Sequence, residues 1–81
     1  MYFVYLQVDK QNKIYIGYTS DLDRRTSEHY AGKVYTTSRM DEPRLFYYEA
    51  YLDEAAAKLR ERKLKQYGSS YHGLLKRLNL K

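Results

Sequence analysis

The sequence predicts a small α/β (α+β) domain: a three-stranded antiparallel sheet flanked by helices, in the order β-β-α-β-α-α. Three observations lead there. Two aromatic and β-branched runs, Tyr2 to Val8 and Lys13 to Tyr18, are separated only by polar Asp9-Lys10-Gln11-Asn12, the pattern of a hairpin. A capped helix start follows the second run at once. A later stretch, 54–67, is rich in Ala, Leu, Lys, Arg and Glu, all good helix formers.

Each element has its own grounds. Side chains alternate along a strand, so Phe3 and Tyr5 share one face, and Tyr2, Val4 and Leu6 share the other. Tyr15 and Gly17 likewise share a face, and Gly17 closes the second strand, where a missing side chain allows close backbone approach or a positive φ. Ser20 is the expected N-cap of the first helix, with Asp23 three residues on. Asp21 and Asp23 suit the positive end of its dipole. That helix is expected from about Asp21 to Tyr30, ending near Ala31-Gly32. Leu22, Arg25, Thr26 and His29 form one stripe at i, i+3, i+4, i+7 spacing, and Leu22 turns that stripe toward the sheet. Residues 32–44 read as a loop, and 44–50, Arg-Leu-Phe-Tyr-Tyr-Glu-Ala, as the third strand. Asp53 caps the second helix, whose apolar stripe is Ala56, Ala57, Leu64 and Tyr67. Glu61 lies at its edge, and Arg60 lies within it, which simple amphipathicity does not explain. After Gly68-Ser69-Ser70 a shorter helix is expected from Tyr71 to Leu80, carrying Leu74, Leu75 and Leu78.

Composition narrows the function. The chain has 81 residues, so one domain over 1–81 is expected. It holds no cysteine, which removes disulfides and thiolate metal sites and suits a reducing compartment. No apolar run approaches the roughly 18 residues of a membrane span, and the first residues lack the features of a signal peptide. The expected location is the cytoplasm, with no membrane partner. The formal charge is +5, which favours a polyanion, nucleic acid first. The late segment carries much of it: Lys58, Arg60, Arg62, Lys63, Lys65, Lys76, Arg77 and Lys81. Tyrosine occurs 11 times against two Phe and no Trp, consistent with a small core built from half-exposed rings.

Taken singly, the polar candidates read as structure: strand tyrosines pack, and helix arginines, histidines and glutamates face solvent. His72 reads as structural. There is no GxGxxG motif, P-loop or His/Cys metal spacing. The ordered set reads differently. Phe3-Val4-Tyr5, then Tyr15-Ile16-Gly17, then Tyr18-Thr19-Ser20-Asp21-Leu22-Asp23-Arg24-Arg25 with Glu28-His29, resembles the GIY-YIG nuclease family. Ala31-Gly32-Lys33, Pro43-Arg44-Leu45 with Tyr47-Tyr48-Glu49, and Arg60-Glu61 with Lys63-Leu64-Lys65 are similar to its compact, stand-alone, bacterial-type branch, related to the nicking domain of the bacterial excinuclease. The resemblance covers nearly the whole chain. It departs from the pattern in the first motif, where Gly and Ile are replaced. It departs again at the late asparagine of many members, whose place falls in Gly73-Leu74-Leu75-Lys76, with Asn79 further on.

The resemblance implies that Tyr5 is the tyrosine at the catalytic centre and Tyr15 its partner. Arg25 becomes the phosphate-binding arginine, His29 the helix histidine, and Glu61 the metal-ligating glutamate. The chemistry suits these types. Arg25 offers a planar fork to phosphate. A tyrosine with an ordinary pKa near 10 is a base at neutral pH only if positive charge lowers it; otherwise His29 takes or relays the proton. One carboxylate fits Mg²⁺ (or Mn²⁺) that keeps its waters. The expectation is a metal-dependent endonuclease cutting DNA, branched or damaged, by nicking, in repair or recombination. Two alternatives stand beside it. One is a nucleic-acid-binding module that keeps the fold without cutting. The other is a basic helper docking a protein partner. Oligomeric state is left open.

Overall fold

The structure, a computed structural model, describes residues 1–31 and 40–80. The expected 32–44 loop therefore falls mostly outside the described residues, as do Gly32 and Lys33 of the family match. Strands β1 (Tyr2–Val8), β2 (Ile14–Thr19) and β3 (Arg44–Tyr51) and helices α1 (Leu22–Tyr30), α2 (Glu54–Lys65) and α3 (Ser69–Arg77) follow in the expected order. The sheet runs β2-β1-β3 with both pairings antiparallel.

Register fixes two faces. Val4 pairs with Tyr18 and Glu49, and Leu6 with Ile16 and Tyr47. This side holds the apolar core: Val4, Leu6 and Ile16 pack with Ala57 and Leu64 of α2 and Leu74 and Leu75 of α3. Each such leucine contributes on the order of 1.5–3 kcal/mol by burial. Tyr5 pairs with Gly17 and Tyr48, and Gln7 with Tyr15, facing the other side, where α1 lies. The sheet is thus sandwiched, with α1 on one face and α2 and α3 on the other.

Helix ends differ from the sequence expectation by a residue or two. The N-cap of α1 is Asp21, not Ser20: Asp21 Oδ1 accepts the Arg24 N–H at 3.1 Å. The Thr19 hydroxyl accepts the Asp21 N–H at 3.0 Å, drawing the chain round so that Asp21, not Ser20, reaches the orphan donors. Helix α2 stops at Lys65, not at residue 67, because Tyr67 turns left-handed at φ 56. Helix α3 starts at Ser69 and stops at Arg77, not over 71–80. Asn79 at φ 60 closes it, with Asn79 N–H on Lys76 O at 3.1 Å and Leu80 N–H on Leu75 O at 2.9 Å. That is a Schellman stop, and asparagine tolerates its left-handed position.

Asp9 anchors the hairpin. Its carboxylate accepts the backbone N–H groups of Lys13 (2.8 Å), Gln11 (2.9 Å) and Asp41 (3.2 Å), tying the β1–β2 turn to the chain before β3. Burial pushes this carboxyl up, but the three N–H donors outweigh it and hold it below the usual range. Asp9→Ala strands those donors and is expected to lower stability by about 2–3 kcal/mol, read as a lower denaturant midpoint at unchanged slope.

Candidate active site

Four of the five expected site residues meet under α1. Tyr5, on the central strand, is 1% exposed and His29 2% exposed. The Tyr5 hydroxyl lies 2.8 Å from His29 Nε2. Tyr15 completes the cluster, its ring 5.1 Å from His29 and 6.2 Å from Tyr5 between centroids. Arg25, one turn before His29, hydrogen-bonds Glu28 Oε1 at 3.2 Å and also interacts with the Tyr5 phenol. The i, i+4 spacing of Arg25 and His29 puts both on the sheet side of α1, so a short helix with one strong apolar anchor still delivers two polar groups to one place.

Gly17 makes room. A Cβ there would stand 2.4 Å from Cζ and the hydroxyl of Tyr5, so the Tyr5 ring lies directly over the Gly17 backbone and its hydroxyl reaches the edge strand. The need is for close approach, not for an unusual φ. Gly17→Ala is expected to push the Tyr5 ring off its bond to His29. Activity should fall by about 10²-fold or more, as expected when a reacting group is misplaced by about 1 Å. Near-UV circular dichroism of the displaced tyrosine, with far-UV signal retained, checks the cause.

Burial sets the protonation states. It pushes the Tyr5 phenol up to about 12, and the opposing effect of Arg25 is smaller. It pushes His29 below its ordinary 6.5, and Arg25 adds to that. Both groups are therefore neutral at neutral pH.

Glu61 is not in contact with these four. It sits on α2, across the sheet from Tyr5, with its carboxylate 3.0 Å from Lys65 Nζ and its side chain 22% exposed. It lies within electrostatic reach of the Tyr18 phenol, and Tyr18 is the neighbour of Gly17. Among the described residues β2 is an edge strand; Tyr5 lies over Gly17 on one of its faces, and Glu61 lies within electrostatic reach of Tyr18 on the other. Among the described residues no group of three His, Cys, Asp or Glu could hold a metal by itself. A single carboxylate at an open edge fits a hard cation that retains waters and takes phosphate oxygens.

The sequence reading missed a second polar cluster. Glu49 accepts Arg60 Nε at 2.9 Å and Arg60 Nη2 at 3.0 Å, and both the Tyr47 and Tyr51 hydroxyls. This accounts for an arginine inside the apolar stripe of α2. Pairing of Tyr47, Glu49 and Tyr51 at i, i+2, i+4 on one strand face was the available signal. Gln7, opposite Tyr15, was also missed; it is fully buried, and its amide atoms have no hydrogen-bond partner among the described residues.

Comparison with known proteins bears on the family and the fold. The GIY-YIG catalytic domain family matches residues 1–77. A UPF0213 protein of Haloquadratum walsbyi is 34% identical over 67 residues, 82% of this chain and 75% of its own length. The solution NMR structure of a UPF0213 protein from Bacillus halodurans superposes with a TM-score of 0.58 at 32% identity, covering 96% of this chain and 85% of that one.

Proposed function

Since the chain belongs to the GIY-YIG family of nuclease domains, we propose that it is a divalent-metal-dependent endonuclease that nicks DNA, one phosphodiester at a time. The observation that carries the reading is the Tyr5–His29 hydrogen bond of 2.8 Å, which joins a buried phenol to a neutral imidazole beside an arginine.

The proposed reaction runs as follows. Arg25 holds the non-bridging oxygens of the scissile phosphate and offsets their developing charge. A water attacks phosphorus and passes its proton to the Tyr5 oxygen, while the Tyr5 proton moves to His29 Nε2. The phosphorus bond to the leaving oxygen breaks, that oxygen takes a proton from solvent to become a hydroxyl, and His29, now an imidazolium, later returns its proton to solvent. Tyr15 packs against both rings and fixes their tilt. Glu61 would hold the ion at the β2 edge once Lys65 yields it; Mg²⁺ or Mn²⁺ supplies neutralisation of the leaving oxygen there. The net charge of +5 favours a DNA partner and makes binding strongly salt dependent. A role in DNA repair or recombination rests on the likeness to the excinuclease nicking domain. The four residues around one phosphate cut one strand, hence nicking. No helix among the described residues is long and apolar enough to cross a membrane; the cytoplasm is the proposed compartment.

The test is conversion of supercoiled plasmid to open circles with Mg²⁺ or Mn²⁺. Wild type should nick; Tyr5→Phe and Glu61→Ala should not. Equal nicking by all three would point to contamination or to a different site. The distance of Glu61 from the tyrosine cluster favours one other reading, a module that binds DNA and does not cut. Tight, salt-dependent binding with no cleavage of plasmid, branched or damaged DNA would select it.

A further inference from the structure

The sheet face that carries Tyr5 is only partly covered by α1. Toward β3 it is open among the described residues. Tyr48, paired across from Tyr5, is 53% exposed. Phe3 meets it edge-on with ring centroids 6.0 Å apart. Beside them an open, shallow groove of about 380 Å³ is lined by Leu45, Phe46, Tyr47 and Tyr48. Among the described residues β3 is an edge of the sheet.

Three features of this face bear on its occupant. An exposed aromatic ring beside a phosphate site is a surface on which a base can stack, and every nucleobase offers a flat face. The rings adjoin the cluster proposed to hold the phosphate, since directly opposed residues stand about 4.5–5.5 Å apart between Cα atoms. The chain's excess of positive charge draws a polyanion, not a neutral apolar partner. A paired base within duplex cannot reach such a face without leaving its stack.

We propose that Tyr48, supported by Phe3, stacks an unpaired nucleobase of the DNA strand next to the phosphate held at Tyr5 and Arg25. Tyr48 is then a specificity-determining residue, and the substrate class is DNA with unpaired nucleotides beside the scissile bond. The proposal rests on the nuclease reading for the position of the phosphate, but its test reads binding, not cleavage.

The experiment uses the full chain in EDTA, so that no cutting occurs. The probe is a short single-stranded oligodeoxynucleotide with one central 2-aminopurine; the comparison is the same strand in duplex. Wild type should quench the 2-aminopurine and prefer the single strand. Tyr48→Ala should weaken single-strand binding by about 5- to 100-fold, the range for one base stacked on an aromatic side chain, and abolish quenching. Its duplex binding should stay within about twofold, because phosphate contacts carry that term. Tyr48→Phe should behave as wild type. Unchanged single-strand binding by Tyr48→Ala would overturn the proposal and leave the groove to a protein partner. Equal loss on single strand and duplex would overturn it too, since stacking distinguishes them. Absence of nicking by wild type, with these binding results intact, would count against the nuclease reading alone.

Discussion

Tyr5→Phe removes one oxygen atom and is expected to slow nicking by about 10²–10⁴-fold, the usual range for a positioned proton-transfer group. Stability should change by only about 1 kcal/mol, the net worth of one neutral hydrogen bond. The pH profile separates the two candidate bases. With burial pushing His29 below its ordinary 6.5, the imidazole is neutral at neutral pH. The rate should fall on acidification only as pH drops below that ordinary value, because protonated His29 cannot take the Tyr5 proton. With Tyr5 at about 12, no plateau from phenol ionisation should appear at moderately alkaline pH. A rate that climbs with pH and levels near 10, the value of an unperturbed tyrosine, would instead make phenolate the base. His29 also couples activity to stability. The unfolded chain binds its proton more readily than the folded one, so His29's contribution to stability is complete above about 6.5 and is lost as pH falls through the lower folded value.

Glu49→Ala should be the most destabilising single change outside the apolar core. Burial pushes the Glu49 carboxyl up, but Arg60, Tyr47 and Tyr51 together outweigh it and keep it below the ordinary 4.5. The same carboxylate and burial push the Tyr51 phenol up to about 12. Removing it leaves Arg60 and two hydroxyls without their acceptor between β3 and α2. Breaking a partly buried pair from one side costs about 2–4 kcal/mol once solvent access to both side chains is allowed for. For a chain of this length that is on the order of a 10–25 °C fall in Tm, measured by thermal unfolding at pH 7. Because the folded pKa is depressed, the wild-type advantage should shrink as pH drops from about 4.5 through the folded value, while Glu49→Ala should show a flatter dependence.

Much of this architecture was legible in the residues. The hairpin showed in its alternation, and the sheet-facing stripe of α1 in the spacing of Leu22, Arg25, Thr26 and His29. Arg25 and His29 go where that stripe sends them. What escaped was tertiary. Ser20 and Asp21 are equally good caps on paper, and only the Thr19 hydroxyl bond to Asp21 decides between them. Arg60 contradicted its helix pattern until Glu49 came from another element to meet it. Tyr5 was open to charge tuning by Arg25, but how deeply α1 would bury it could not be read from spacing, and burial dominates. Asn79 lies beyond the place of the family's late asparagine, and in the fold it is a helix stop. Glu61 illustrates the largest gap. A helix stripe tells which side chains face a sheet, not which face of the sheet they meet.

The central claim is that Tyr5, Tyr15, Arg25 and His29 act on the same phosphate as an ion held by Glu61 at the open edge of β2. The most direct measurement is a crystal structure of Tyr5→Phe with Mn²⁺ and a short DNA strand. The account predicts one phosphate on the Arg25 guanidinium, with the anomalous peak of manganese between that phosphate and the Glu61 carboxylate. A phosphate at Arg25 with manganese elsewhere, or an ion on Glu61 with the DNA bound away from Arg25, would contradict it.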